Sequence, residues 1–354
     1  MKSKKILQVF LIPFVVLISF ASAHAGLPKV IVLGTGGTIQ SKGDTRMTRY
    51  DYRAGRFDIS EIIDLIPQVK EIAEFEAEQF TNIGSPSMTP DIWKGLAERI
   101  NETALRSDVS GFVLTHGTNT LEETAYFLHL TVQTDKPVVI VGAQRPSTSI
   151  SADGPMNFYN AVQVAASPEA RDKGVLICMN QQINSAREGT KTSAYKVEAF
   201  QSRDLGLLGV VDPDGVHFLR APVRRHTYLS EFDVSDISSF PRIDIVPSFA
   251  DAAGDLITFL ASAGTAGIVL AGHGAGGASP AQGEAFKTAT SNGVIAIACS
   301  RTGSGRVIES SRMLEYGLIA GDNLLPHKAR ILLMLAIASG KSERSELIRI
   351  FDQY

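Results

Sequence analysis

Val30-Ile31-Val32-Leu33 runs directly into Gly34-Thr35-Gly36-Gly37-Thr38-Ile39, a β-branched apolar stretch that ends in a glycine turn with two hydroxyls. A strand apolar on both sides belongs inside a parallel sheet covered on both faces. Glycines in the turn let backbone come close to a ligand, and the same pattern also serves as a tight strand exit. A dinucleotide fingerprint needs glycine three places after Gly36, where Ile39 stands, and no Gly-Lys-Ser/Thr follows for a phosphate loop. Hydride transfer and nucleotide chemistry are therefore weakly supported.

Moving outward, Gly111-Phe-Val-Leu114, Val138-Val-Ile-Val141 and Val175-Leu-Ile-Cys178 are further short strands. Segments of helical period separate them. One opens at Thr89-Pro90-Asp91, an N-cap with proline in the first turn, and continues through Trp93, Leu96 and Ile100. Others cover Leu121 to Val132 and Asp153 to Ala166. Strands alternating with helices predict an α/β fold with a parallel sheet. Val211-Asp-Pro-Asp-Gly-Val216 reads as a tight hairpin. Residues 220–242 are polar and aperiodic, with Pro222 and Pro241 near the ends, and read as a linker. Beyond them, strands are expected at Ile243–Val246, Gly267–Ala271 and Val294–Cys299. Helices are expected near Asp251–Ala263 and Pro280–Ser291, with a closing helix from His327 to Ala338. The expected organisation is residues 26–219, a linker at 220–242, and a smaller α/β unit at 243–354.

Residues 1–25 read as a secretory signal: Lys2, Lys4 and Lys5 form a cationic head, Ile6 to Phe20 an apolar core, and Ala23-His24-Ala25 a small-x-small exit. An apolar run this short falls below the roughly 20 residues of a spanning helix. A periplasmic or secreted protein, free of the membrane after cleavage, is expected. Removing the three lysines takes the formal charge from −3 to −6, which leaves no basic footprint for nucleic acid. Cys178 and Cys299 lie in separate apolar runs and are expected unbridged on different sheets. The seven histidines are scattered without metal-ligand spacing, so neither a metal nor a cofactor is expected.

In open α/β sheets ligands bind at the carboxyl ends of strands. Besides the first glycine turn, the hydroxyl-rich Thr115-His116-Gly117-Thr118-Asn119-Thr120 segment follows such an end. It can aim backbone N–H groups at an anion. Thr120 and Glu123 also have capping-box spacing. No carboxylate lies near His116 to orient its ring, which favours a structural histidine over a general base.

Thr35-Gly-Gly-Thr38-Ile39 and His116-Gly-Thr-Asn-Thr120 together resemble the two signature segments of bacterial L-asparaginases, in particular the exported type II enzymes. Asn82-Ile-Gly-Ser85, Leu121 to Leu128, Asp135 to Val139, Arg145 to Ser149, Ser151 to Pro155, Thr190-Lys191-Thr192 and Asn323 to Leu333 are similar to the same family. The resemblance spans nearly the whole chain after the leader. It implies a two-domain asparaginase-like α/β fold and an amidohydrolase acting through an acyl-threonine. It further implies a homotetramer built as a dimer of dimers. Thr38 matches the nucleophile, Tyr52 the loop tyrosine that activates it, and Thr118 with Lys191 the second hydroxyl and its amine. Ser85 matches a holder of the substrate α-carboxylate, with Gly37, Gly84, Pro86, Gly117 and Asn119 beside these positions. The loop from Lys42 to Gly55 carries a one-residue insertion, so Tyr50 competes with Tyr52; spacing to Gly55 favours Tyr52.

Three positions depart from the family where it reads the substrate's α-ammonium. Asn119 replaces an aspartate, Pro86 a glutamine and Ala275 an asparagine. Each change removes a polar group or bulk. The glutamate that the family takes from a neighbouring subunit has only Glu309 as a candidate. Two readings follow: an amidohydrolase acting on asparagine or an N-substituted asparagine, or a catalytically weakened relative that binds amino-acid-type ligands. Retention of Thr38, Tyr52, Thr118 and Lys191 favours the first.

Overall fold

The computed structural model describes residues 26–354, so the leader expected at residues 1–25 lies outside the described residues. Its larger sheet has strands β1 (Lys29–Gly36), β2 (Glu74–Ile83), β3 (Val109–Thr115), β4 (Val138–Val141), β5 (Val175–Met179), β6 (Gln182–Ser185), β9 (Gly209–Asp212) and β10 (Gly215–Phe218). A separate two-stranded ribbon is formed by β7 (Thr190–Lys191) and β8 (Phe200–Gln201). The order across the large sheet is β10-β9-β6-β5-β4-β3-β1-β2. From β5 to β2 all pairings are parallel, as the alternation predicts. At the other edge β6, β9 and β10 pair antiparallel, which makes the sheet mixed rather than wholly parallel.

Both faces are covered. Helices α1 (Ile59–Asp64) and α4 (Gly154–Ala166) lie over Val30, Val32, Val113 and Val139, while α2 (Pro90–Ala104) and α3 (Leu121–Thr131) lie over Ile31, Leu33, Phe112 and Leu114. Thr89 caps α2 by accepting from Ile92 N, as its position before Pro90 predicts.

The second sheet is all parallel, ordered β11 (Ile243–Pro247), β12 (Gly267–Gly272), β13 (Ile295–Ser300), β14 (Leu318–Ala320). Helices α5 (Asp255–Ser262), α6 (Pro280–Ser291) and α7 (Ser311–Glu315) contribute to one layer; α8 (Pro326–Ala338) and α9 (Arg344–Gln353) form the other. The chain therefore ends on α9, not on the helix through Ala338. One hydrophobic cluster runs from α2 and α3 across to α8 and α9, so the two sheets share a core layer. Residues 220–242 are not a free tether: Phe232, Val234 and Ile237 are buried in that shared layer, and Lys94 Nζ donates to Ile237 O at 2.5 Å. Cys178 in β5 and Cys299 in β13 are buried and free on separate sheets, the placement their runs predict.

Strand β2 escapes sequence reading because Glu74, Glu76 and Glu78 alternate with Phe75 and Ala77. Charge of this kind protects an exposed sheet edge. Its position matters for the site. The chain leaves β1, places β2 on one side and returns with β3 on the other. The crevice at the carboxyl ends of β1 and β3 is thus a switch point in strand order.

Candidate active site

Two turns meet at that crevice. Gly37 has φ 80°, and a Cβ there would sit 2.3 Å from Gly117 N, so this position is glycine for both conformation and approach. A Cβ on Gly117 would in turn press on the Ser85 side chain at 2.9 Å. Thr35 Oγ1 donates to Thr115 O at 2.7 Å and so ties the strand ends together. Gln40, fully buried, accepts from Gly36 N and Thr115 Oγ1, both at 2.8 Å, and donates to Phe57 O and Gln79 Oε1. This clamp is missed in the sequence, since a glutamine after a glycine turn carries no motif.

Thr38 opens a single 3-10 turn and points its hydroxyl into a cavity of about 330 Å³. Its Oγ1 lies 2.8 Å from the Tyr52 hydroxyl. Tyr50 is 77% exposed and has no such contact, so the structure brings Tyr52 rather than Tyr50 to Thr38. Burial raises the Tyr52 phenol above its ordinary range, against the hydrogen bond to Thr38. The loop carrying Tyr52 is held to residues 147–149: Ser147 N donates to Ser41 O, and Ser149 Oγ to Thr48 O.

Thr118 is buried across the cavity and accepts from Lys191 Nζ at 2.9 Å. The same ammonium donates to Asn119 Oδ1 at 3.1 Å. Burial lowers the Lys191 pKa, and Glu122 partly offsets this. Gly84, Ser85 and Pro86 line the cavity with Gly37, Gly117 and Asn119, so these six surround one space with Thr38, Tyr52, Thr118 and Lys191. Ala275 and Glu309 lie elsewhere. Ala275 is exposed on the turn after β12, and Glu309 pairs with Arg344 at 2.5 Å. Within one chain, then, Asn119 and Pro86 share the subsite but Ala275 does not join them.

Two further expectations are settled by geometry. The Thr120 side chain makes no cap bond to α3; it donates to Ser85 O at 2.7 Å, so the capping box is replaced by a tie between two site turns. His116 is fully buried, with Nδ1 2.8 Å from Gly117 O and Nε2 2.8 Å from Thr124 Oγ1. Burial lowers its pKa to about 4, which keeps it neutral, and it faces no open space.

The structure adds a support that the sequence does not announce. Glu122 Oε1 accepts from Lys191 N at 3.3 Å, and Glu122 Oε2 lies 3.2 Å from His327 Nε2, close but not aligned as a hydrogen bond. Burial acts to raise the Glu122 carboxyl, but His327 and the Lys328 ammonium outweigh it and hold it ionised, at about 2. Lys328, completely buried on α8, donates to Ala186 O, Arg187 O and Gly189 O at 2.7 to 3.0 Å. It thereby fixes the turn that leads into Lys191. A lysine more than 130 residues away from Lys191 has no sequence signal for this role.

Comparison with known proteins agrees with this architecture. Residues 29–224 match the family model described as Asparaginase, N-terminal, and residues 242–351 match Glutaminase/Asparaginase C-terminal domain. The chain is 41% identical to L-asparaginase 2 of Bacillus subtilis over 334 residues, covering 94% of this chain and 88% of that protein. It is 40% identical to the probable L-asparaginase periplasmic of Haemophilus influenzae over 329 residues, covering 92% and 93%. The crystal structure of a probable cytoplasmic L-asparaginase from Campylobacter jejuni superposes with a TM-score of 0.89 at 41% identity, covering 92% of this chain and all of that one. With both family models matched in order along one α/β frame, this chain belongs to the asparaginase family of amidohydrolases.

Proposed function

We propose that this chain hydrolyses the side-chain amide of L-asparagine, or of an asparagine substituted on its α-nitrogen, to the aspartate product and ammonia. The observation that carries this reading is the pair of hydroxyl–base couples facing one cavity, Thr38 with Tyr52 and Thr118 with Lys191. A threonine hydroxyl is a poor nucleophile until a neighbour takes its proton. Thr38 Oγ1 attacks the amide carbon as its proton passes to the Tyr52 hydroxyl, which hands its own proton on to the departing amide nitrogen. Backbone N–H groups of the glycine turns receive the oxyanion. Ammonia leaves with a proton supplied from the site, and water then releases the acyl group from Thr38. Thr118 and Lys191 serve as the second proton relay, since partial burial lowers the lysine's pKa and so eases transfer of the proton it shares with Thr118. A mere binding protein gains nothing from two such couples.

Asn119 and Pro86 support the substituted substrate. Neither offers a negative charge to a free ammonium, while an uncharged amide at Asn119 still bonds a secondary amine. The test is ammonia release from L-asparagine and N-substituted asparagines by the parent and by Thr38→Ala. Activity of Thr38→Ala near that of the parent removes the assignment. The N-terminal leader pattern supports export to the periplasm or beyond, and no described helix is long and apolar enough to cross a membrane. Ile245, Phe249, Leu256 and Phe259, all exposed on β11, α5 and the segment between them, support assembly into a homotetramer.

A further inference from the structure

The reaction cavity opens into a second one of about 420 Å³, and the two share Arg49, Tyr50, Gln144 and Tyr195. Arg145 completes the second space. Every one of these five side chains carries a hydrogen-bond donor, and none carries a carboxylate. Gln144 is the most informative. It is 9% exposed, its backbone N is held by the Asp153 carboxylate at 2.9 Å, and its Nε2 is buried with no hydrogen-bond partner among the described residues. A buried donor left unpaired costs about 1–3 kcal/mol, and this one belongs to a residue that lines both cavities.

The charge points the same way. The Arg49 side chain forms no ion pair or hydrogen bond among the described residues, and the Arg145 guanidinium donates only to Ser151 O, at 2.7 Å. Elsewhere Arg106, Arg171, Arg220, Arg306 and Arg349 all hold carboxylates. The loop from 42 to 56 bears Lys42, Arg46, Arg49, Arg53 and Arg56 against Asp44 and Asp51, in a chain whose formal charge is −3. Of these, Arg49 lines both cavities, and Arg145 joins it in the second. Planar guanidinium groups bind carboxylate and phosphate oxygens in paired fashion.

We infer that this second cavity is a substrate subsite for an anionic, oxygen-bearing substituent, so that the preferred substrate is an asparagine whose α-nitrogen carries a group ending in a carboxylate or comparable anion. The inference rests on the N-substituted reading above and adds the chemistry of the substituent. Gln144 Nε2 donates to an oxygen near the junction of the two cavities, and Arg49 with Arg145 receives the charge.

The experiment compares kcat/KM for ammonia release from three probes: L-asparagine, N2-acetyl-L-asparagine and N2-succinyl-L-asparagine. The last two differ by the terminal carboxylate. The expected order is succinyl above acetyl by about tenfold, with the ratio shrinking as salt is raised. Arg49→Ala, whose side chain supports nothing in the fold, takes the ratio toward one. Gln144→Met, close in volume but without the donor, lowers succinyl more than L-asparagine; folding of both variants is checked by thermal melting. Equal rates on succinyl and acetyl, both above L-asparagine, overturn the anionic subsite and leave the N-substituted reading standing. L-Asparagine faster than both overturns the two together. An unchanged succinyl-to-acetyl ratio in Arg49→Ala also overturns the subsite.

Discussion

Replacing Asn119 by aspartate puts a carboxylate where an amide oxygen now lies 3.1 Å from Lys191 Nζ. Coulomb attraction at that distance is about 5 kcal/mol at an effective dielectric of 20, an upper bound because Lys191 is half-buried and water screens the pair. An opposite charge within hydrogen-bond reach moves a titration by about one to three pH units, and the exposure of this site selects the lower half of that range. The sign follows from the role. Lys191 acts when neutral, so holding its proton more tightly delays the active form to higher pH. The rising limb of kcat against pH is expected to move up by about one to two pH units in Asn119→Asp. Glu122→Gln removes the carboxylate that now raises the Lys191 pKa, and moves the limb down. The titratable groups acting on Glu122 are Lys191 from β7, Glu123 from its own helix, and His327 and Lys328 from α8; none is changed in either variant. The assay is kcat at saturating substrate from pH 5 to 10, with the Lys191 side chain followed by isotope-edited NMR. A limb that stays in place in Asn119→Asp, or moves downward, refutes the proton-relay role of Lys191.

Thr118→Val keeps volume but removes the acceptor for Lys191; steady-state kinetics should show kcat down by about 10²–10⁴-fold with the fold intact. His116→Gln should cost about 1–3 kcal/mol in denaturant unfolding while leaving turnover within about an order of magnitude, because its hydrogen bonds run inward. Tyr52→Phe is expected to abolish most turnover and Tyr50→Phe to leave most of it, measured side by side, since only Tyr52 reaches Thr38. Lys328→Met leaves three buried carbonyls without their donor and should destabilise by about 3 kcal/mol or more in urea melts, with kcat falling as the turn before Lys191 loosens.

How much of this was readable in the chain divides along physical lines. Hydrophobic period and local caps are encoded within a few residues. The parallel strands β1, β3, β4 and β5, the cap at Thr89, the hairpin at 211–216 and the buried, separate cysteines are accordingly legible from the residues alone. Helices α2, α3, α4 and α6 are legible too. Elements whose signal depends on where they sit are not. The edge strand β2 looks like a charged helix or loop until one knows that one edge faces water, and the aperiodic segment 220–242 hides three core residues. Thr120 has the spacing of a capping box, yet its hydroxyl is claimed by Ser85 on another turn.

The site divides in the same way. Its first contacts were legible because Thr38 and Thr118 lie in glycine- and hydroxyl-rich turns at strand ends, and those local patterns are short and specific. By itself the sequence determined the alternating α/β plan and the two polar turns at strand ends; the resemblance to the asparaginases added the roles of those turns and the loss of charge at position 119. Only the tertiary structure decided that Tyr52 and not Tyr50 meets Thr38, that Gln40 clamps both turns, and that Glu122 on α3 holds the strand bearing Lys191 while Lys328 on α8 holds the turn before it. Apart from the bond between Gly36 and Gln40, these contacts join residues 14 to 142 positions apart. Such contacts depend on how the sheet and its covering helices pack, which no local run of residues specifies.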